Sequence, residues 1–233
     1  MHTIWNSMTL GVIVAALVPV SAFAATSAQV PLPRARPARI ANPSQARQPW
    51  IDTAPVRAKL AQNGVAVRSI LDRSRSRGTV EAAIRIHAGV GVIWRIITQC
   101  KYARWLIPGL RLCRTLKAAP NGSWADIVHD IKYSPFLPMV HSVFRADFHP
   151  PYRMDFHRIG GNLKYEVGSW TLLPGANGST TVVYRVSMQP GFWVPHFMIR
   201  RTLRARLPAA LRALRQHAQE LAAVPGAASR PHA

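Results

Sequence analysis

V-E-A-A-I-R-I-H, Val80 to His87, is the stretch that decides the fold. Val80, Ala82, Ile84 and Ile86 alternate with Glu81, Ala83, Arg85 and His87, the period of two that lets an extended chain bury one face. Beyond Val90 the period lengthens. Val92, Ile93, Ile96 and Ile97 share one helical face, with Trp94 beside it, and K-Y-A-R-W-L-I-P continues as a second short helix that ends before Pro108. Strands then resume. Segments 110–118 and 124–132 flank Pro120-Asn121-Gly122 and pair as a hairpin. Segments 140–148 and 153–159 are separated by His149-Pro150-Pro151-Tyr152, whose prolines cannot serve an interior ladder. After Gly160-Gly161, segments 163–173 and 180–188 pair across Pro174 to Gly178. The expectation is an α+β fold with a seven-stranded antiparallel sheet, a meander after its first strand.

The closing element reads as a long helix. Ile199, Leu203, Leu207, Ala210, Leu214, Ala218 and Leu221 recur at spacings of three and four, and Arg201, Arg204, Arg212 and Arg215 fall on the opposite side. Pro208 removes one backbone bond and should bend it. A sheet wrapped around such a helix encloses a cavity, and function is expected to reside there.

The flanks carry a different composition. Leu10 to Val20 is an unbroken apolar run followed by Ser21-Ala22-Phe23-Ala24, the pattern of an export signal cleaved before Ala25. The competing reading, an uncleaved anchor in the inner membrane, has only residues 8–24 to span with, and Pro19 among them. Val30 to Pro49 is rich in Pro, Ala and Arg and lacks an apolar period, so it reads as an extended linker. Within 55–73, Val56, Leu60, Val67, Ile70 and Leu71 suggest a short amphipathic helix interrupted by Gly64. The expected divisions are a signal peptide (1–24), a basic, largely disordered linker (25–78), one folded domain (79–222) and a disordered tail (223–233).

Thirty Lys and Arg against nine Asp and Glu give a formal charge of +21. Residues 25–79 contribute +8 and residues 80–222 contribute +12. Such a surface seeks polyanions: RNA or the ribosome in a cytosolic protein, anionic lipid in an exported one. Arg outnumbers Lys 25 to 5, the usage of a GC-rich bacterial gene, which makes the periplasm the expected compartment. Export would exclude nucleic acid and leave an anionic membrane surface as partner, reached through the basic arm and the outer face of the closing helix.

Motifs for catalysis are sparse. The nine histidines show no metal-ligand spacing such as H-E-x-x-H, so no metal or cofactor is expected. His129 and His141, on successive strands with Asp130 near, would form a proton-transfer pair only if both faced the cavity. Ser169 and Tyr184 could offer polar contacts to a ligand. Cys100 and Cys113 either pair, as the oxidising compartment allows, or remain two buried thiols, since nothing in the sequence fixes their separation.

The motifs in order resemble a known family. V-I-W-R-I-I-T and Y-A-R-W-L-I-P-G after the first strand, G-S-W-T-L-L-P at Gly168 to Pro174, T-V-V-Y-R-V at Thr181 to Val186, and P-G-F-W-V-P with I-R-R-T-L-R-A-R-L-P-A-A-L at Pro190 to Leu211 resemble the START-like (SRPBCC) superfamily, in its polyketide cyclase and coenzyme Q-binding START-domain branch. The chain departs at Gly89 to Gly91, where members usually carry a capping residue, and in its export signal. The resemblance implies a helix-grip, Bet v1-like fold whose tunnel binds a lipid, isoprenoid quinone or polyketide-like molecule.

Trp94, Trp105, Phe144, Phe156, Trp170, Tyr184 and Phe197 lie on elements that would surround that tunnel. Arg200, near the start of the closing helix, is placed to hold a polar head group or to extend its stem to water. The expected function is non-enzymatic binding or transport of a hydrophobic ligand. A polyketide cyclase or aromatase is the alternative.

Overall fold

The structure is a computed structural model that describes residues 50–71, 78–133, 135, 137–192 and 196–224, without the side chains of 71, 78 and 196–203. The signal segment, the arm before residue 50 and the tail after residue 224 lie outside the described residues.

Alternation and turn chemistry produce one antiparallel sheet. After helix α1 (Ala54–Ala61) come strands β1 (Val65–Leu71) and β2 (Gly78–Ile86), then helices α2 (Val90–Thr98) and α3 (Cys100–Leu106). Strands β3 (Leu110–Ala118), β4 (Trp124–Ile131), β5 (Val140–His149), β6 (Arg153–Gly161), β7 (Leu163–Pro174) and β8 (Thr180–Pro190) follow, and helix α4 (His196–Ala223) closes the chain. The spatial order is β1-β2-β8-β7-β6-β5-β4-β3, so β3 to β8 form a meander whose last strand pairs with β2.

Two expectations change. The sheet has eight strands because 65–71 is a strand, with Val65 opposite Ile84 and Leu71 opposite Gly78. The helix expected over 55–73 stops at Ala61, where Asn63 takes a positive φ and the Gly64 amide bonds to the Lys59 carbonyl. The linker assigned to 25–78 therefore includes two elements of the folded unit. Trp50, Ile51 and Leu60 pack over Ala66, Ala83 and Val183 on the convex face of the sheet. The small side chains at 66 and 83 leave room there for α1.

The principal core lies on the concave face. Ala82, Ile84 and Ile86, buried without residual exposure, cluster with Ile93 and Ile96 of α2 and Leu211, Leu214 and Ala218 of α4, and Val80 is equally buried. Helix α4 runs unbroken through Pro208. The start of α2 has no side-chain cap: Gly89 supplies only its carbonyl, to the amides of Val92 and Ile93. A buried bond from the Thr180 hydroxyl to the Ala88 carbonyl, 2.8 Å, ties that weakly capped start to β8.

Candidate functional site

Alternate residues of five strands point into the space between sheet and α4. β4 contributes Ile127, His129 and Ile131, β5 contributes Phe144, β6 Met154 and Phe156, β7 Glu166 and Trp170, and β8 Tyr184 and Met188. The other walls come from Ile96 and Ile97 of α2, Ala103 and Leu106 of α3, and Leu207, Ala210 and Leu211 of α4. Together they enclose a cavity of about 180 Å³ with a predominantly apolar lining.

Its floor is a row of rings that crosses the sheet. His129 meets Phe144 edge-on at 5.0 Å, Phe144 meets Phe156 at 5.8 Å, Phe156 lies nearly parallel to Tyr184 at 6.2 Å, and Tyr184 meets Trp170 at 4.3 Å. Gly168 makes this row possible. A Cβ there would stand 2.3 Å from the edge of the Phe156 ring and 2.4 Å from the Arg185 carbonyl oxygen.

The polar groups gather toward the end of the cavity where β4 finishes and β5 and β7 begin. Glu166 accepts a short hydrogen bond from the Ser142 hydroxyl. Desolvation raises its carboxyl pKa above the ordinary value, against the opposing pull of that bond and of Arg158. Burial, with the nearby Glu166 charge, pushes the Tyr133 phenol up to about 12 and lifts Tyr184 further still. Arg206 donates to the Tyr133 carbonyl oxygen at 2.8 Å and stacks over its ring at 5.4 Å. Burial holds the His129 imidazole down at about 4, opposed by the charge of Asp130, so at neutral pH it is an uncharged member of the floor.

Parity decides two polar candidates from the sequence, the conditional proton-transfer pair His129 and His141 and the ligand contact Ser169. His129 lies opposite Ser142 on the concave face, whereas Asp130 lies opposite His141 on the convex one, where the imidazole Nδ1 and carboxylate stand 2.5 Å apart. The two histidines are thus on opposite sides of the sheet. Ser169 pairs with Asp155 and Arg185 and likewise faces outward. Among the described residues no group of three His, Cys, Asp or Glu has metal-binding geometry.

A family model described as polyketide cyclase / dehydrase and lipid transport matches residues 86–215. The chain belongs to that family. Solved structures share the fold at low sequence identity. A STAR-related lipid transfer protein from Xanthomonas axonopodis superposes with a TM-score of 0.58 at 18% identity, over 67% of this chain and 94% of that one. The ZhuI aromatase/cyclase from Streptomyces sp. R1128 gives 0.55 at 12% identity, over 69% and 99%. Human STARD10 gives 0.58 at 8% identity, over 67% and 70%. A comparison with curated protein sequences finds no significant match.

Within this polyketide cyclase and lipid transport domain the expected site residues separate into three groups. Phe144, Phe156, Trp170 and Tyr184 line the cavity. Trp94 is buried in the principal core edge-on to Phe148 at 6.0 Å, and Trp105 stacks on His217 of α4 at 4.0 Å; neither reaches the lining. Both sit on helices, where the face a residue presents depends on the helix's rotation. The side chains of Phe197 and Arg200 lie outside the described residues. Cys100 and Cys113 are joined by a disulfide with Cα atoms 5.3 Å apart, and both line the cavity. Sequence reasoning missed Glu166, Tyr133 and Arg206. The parity of β7 carried a signal for the first, since Glu166 shares its face with Trp170.

Proposed function

We propose that this protein binds a hydrophobic ligand in the cavity between sheet and α4 and carries it chemically unchanged. The observation that supports this best is the lining: an aromatic floor and aliphatic walls enclosing about 180 Å³, the make-up of a small-molecule site with few polar contacts. The separation of His129 from His141 by the sheet favours carriage over the acid–base alternative, because it leaves the cavity histidine without a histidine or carboxylate partner among the described residues. The carriage reading includes export to a bacterial periplasm and attraction to anionic membrane through the basic arm and α4. The test is native mass spectrometry of the purified protein, followed by recovery of any bound molecule after incubation. A co-purifying lipid-like species returned unaltered is the expected result. A product of changed mass would favour a cyclase.

A further inference from the structure

Of the seven carboxylates between Val80 and Ala222, six have a cationic or histidine partner within 3.7 Å. Glu81 lies between Arg68 and Arg185, Asp126 against Arg145, Asp155 against Arg153 and His149, and Asp130, Asp147 and Glu220 against His141, His157 and His217. Among the described residues, which do not include the side chains of Arg200 and Arg201, Glu166 is the exception. Its inward parity puts it on the cavity wall, and its one hydrogen-bond partner among the described residues is the Ser142 hydroxyl. A desolvated carboxyl without an ion pair is unfavourable for folding, so stability does not explain its presence.

Its neighbours indicate what would satisfy it. The phenols of Tyr133 and Tyr184 line the same cavity, and among the described residues neither has a hydrogen-bond partner. Two guanidiniums stand near: Arg206 on the cavity wall, and Arg158, whose charge is felt by Glu166. Each already donates to a backbone carbonyl, Arg206 to Tyr133 at 2.8 Å and Arg158, through Nη2, to Gly161 at 3.0 Å, while the Arg158 Nε is buried without a partner among the described residues.

We propose that Glu166, Tyr133 and Tyr184 form a head-group site for an uncharged hydrogen-bond-accepting oxygen, the carbonyl of a ketone or ester, whose apolar body lies on the aromatic floor. This rests on the reading of the cavity as a hydrophobic-ligand site. Both phenols remain donors far above neutral pH, and the raised Glu166 carboxyl favours its protonated, donating form. The guanidiniums of Arg158 and Arg206 repel an ammonium head, and burying a carboxylate head in this predominantly apolar cavity costs its hydration.

The experiment uses the purified full chain loaded with the neutral fluorophore N-phenyl-1-naphthylamine, displaced in turn by 2-undecanone, undecylamine and undecanoate. The ketone is expected to displace it at least tenfold more effectively than either charged chain. Tyr133→Phe and Tyr184→Phe should each weaken the ketone about three- to tenfold, the loss of one hydrogen bond, with fluorophore binding unchanged. Glu166→Gln, which keeps a donor, should retain the ketone, and Glu166→Leu should lose it. Fluorophore uptake also reports that each variant keeps its cavity. Uptake with no preference among the three heads, or ketone binding indifferent to all four substitutions, overturns the head-group site alone. No uptake by the native protein overturns the cavity reading and the head-group site with it.

Discussion

At Gly168 the aromatic floor depends on a missing side chain. The Phe156 ring occupies the space where a Cβ would be, so even alanine would push it toward Phe144 or open the β7 to β8 ladder at Arg185. His129, at the end of the same row, supplies a measurable consequence of burial. Its folded pKa, about 4, lies below the unfolded value near 6.5, so the unfolded chain takes up the proton first as pH falls. Its contribution to stability is therefore complete above about pH 6.5 and is lost as pH falls toward 4. Urea unfolding of the native protein and His129→Gln should show native stability falling more by on the order of 2 kcal/mol between pH 7 and pH 4.5. Glu166 shifts in the opposite sense, but it is common to both proteins and cancels in the difference. Parallel pH profiles would mean that His129 is solvated rather than buried in the floor.

At the scale of elements, what was legible depended on how local the information was. Strands β3 to β8 were readable because alternation and turn residues lie close together in sequence, as at Asn121, whose side-chain oxygen accepts from the Ser123 amide at 3.1 Å and hydroxyl at 2.8 Å. Strand β1 was not readable. V-A-V-R-S-I-L pairs with β2 across residues 72–77, whose D-R-S-R-S-R carries neither Gly nor Pro to mark a turn, and Val67, Ile70 and Leu71 also suit a helical spacing. The inward aromatics of the strands followed from parity, whereas on α4 small errors of rotation accumulate. Leu211, absent from the predicted apolar face, is almost fully buried, and Arg206, which the sequence did not single out, lies on the cavity wall. Helix α4 offers a test that separates core from site. Leu214 is completely buried against the core, so Leu214→Ala should destabilise the domain by about 3 kcal/mol in thermal or urea unfolding. Leu207 is only partly buried and lines the cavity, so Leu207→Ala should cost less stability and alter ligand uptake more. Equal effects on both properties from both positions would show that α4 does not divide its labour between closing the core and walling the cavity.

Across the whole molecule, charge is sorted by face. Glu81, Asp126, Asp130, Asp147 and Asp155 all stand on the convex side of the sheet, each beside Arg or His, so the negative charge of the strands is largely neutralised locally. The excess of +21 is therefore carried elsewhere. On α4, Arg204 and Arg212 are exposed, while Arg215 donates to the Asn63 carbonyl at 2.7 Å and Arg206 to the Tyr133 carbonyl, bonds that hold these guanidiniums in place without neutralising their charge. The proposed attraction to anionic membrane draws on the arm, with Arg34, Arg36, Arg39 and Arg47, and on the helix. Co-sedimentation with vesicles containing phosphatidylglycerol should weaken steeply between 50 and roughly 300 mM salt, because exposed charges are screened over about 8 Å near physiological ionic strength. It should largely vanish for neutral phosphatidylcholine vesicles. Deleting residues 25–49 should reduce binding more than the pair Arg204→Gln and Arg212→Gln, and the two losses should add in free energy if arm and helix act independently. Binding that is indifferent to salt, or equal on neutral lipid, would show that apolar insertion holds the protein to membranes and that its positive charge serves another partner.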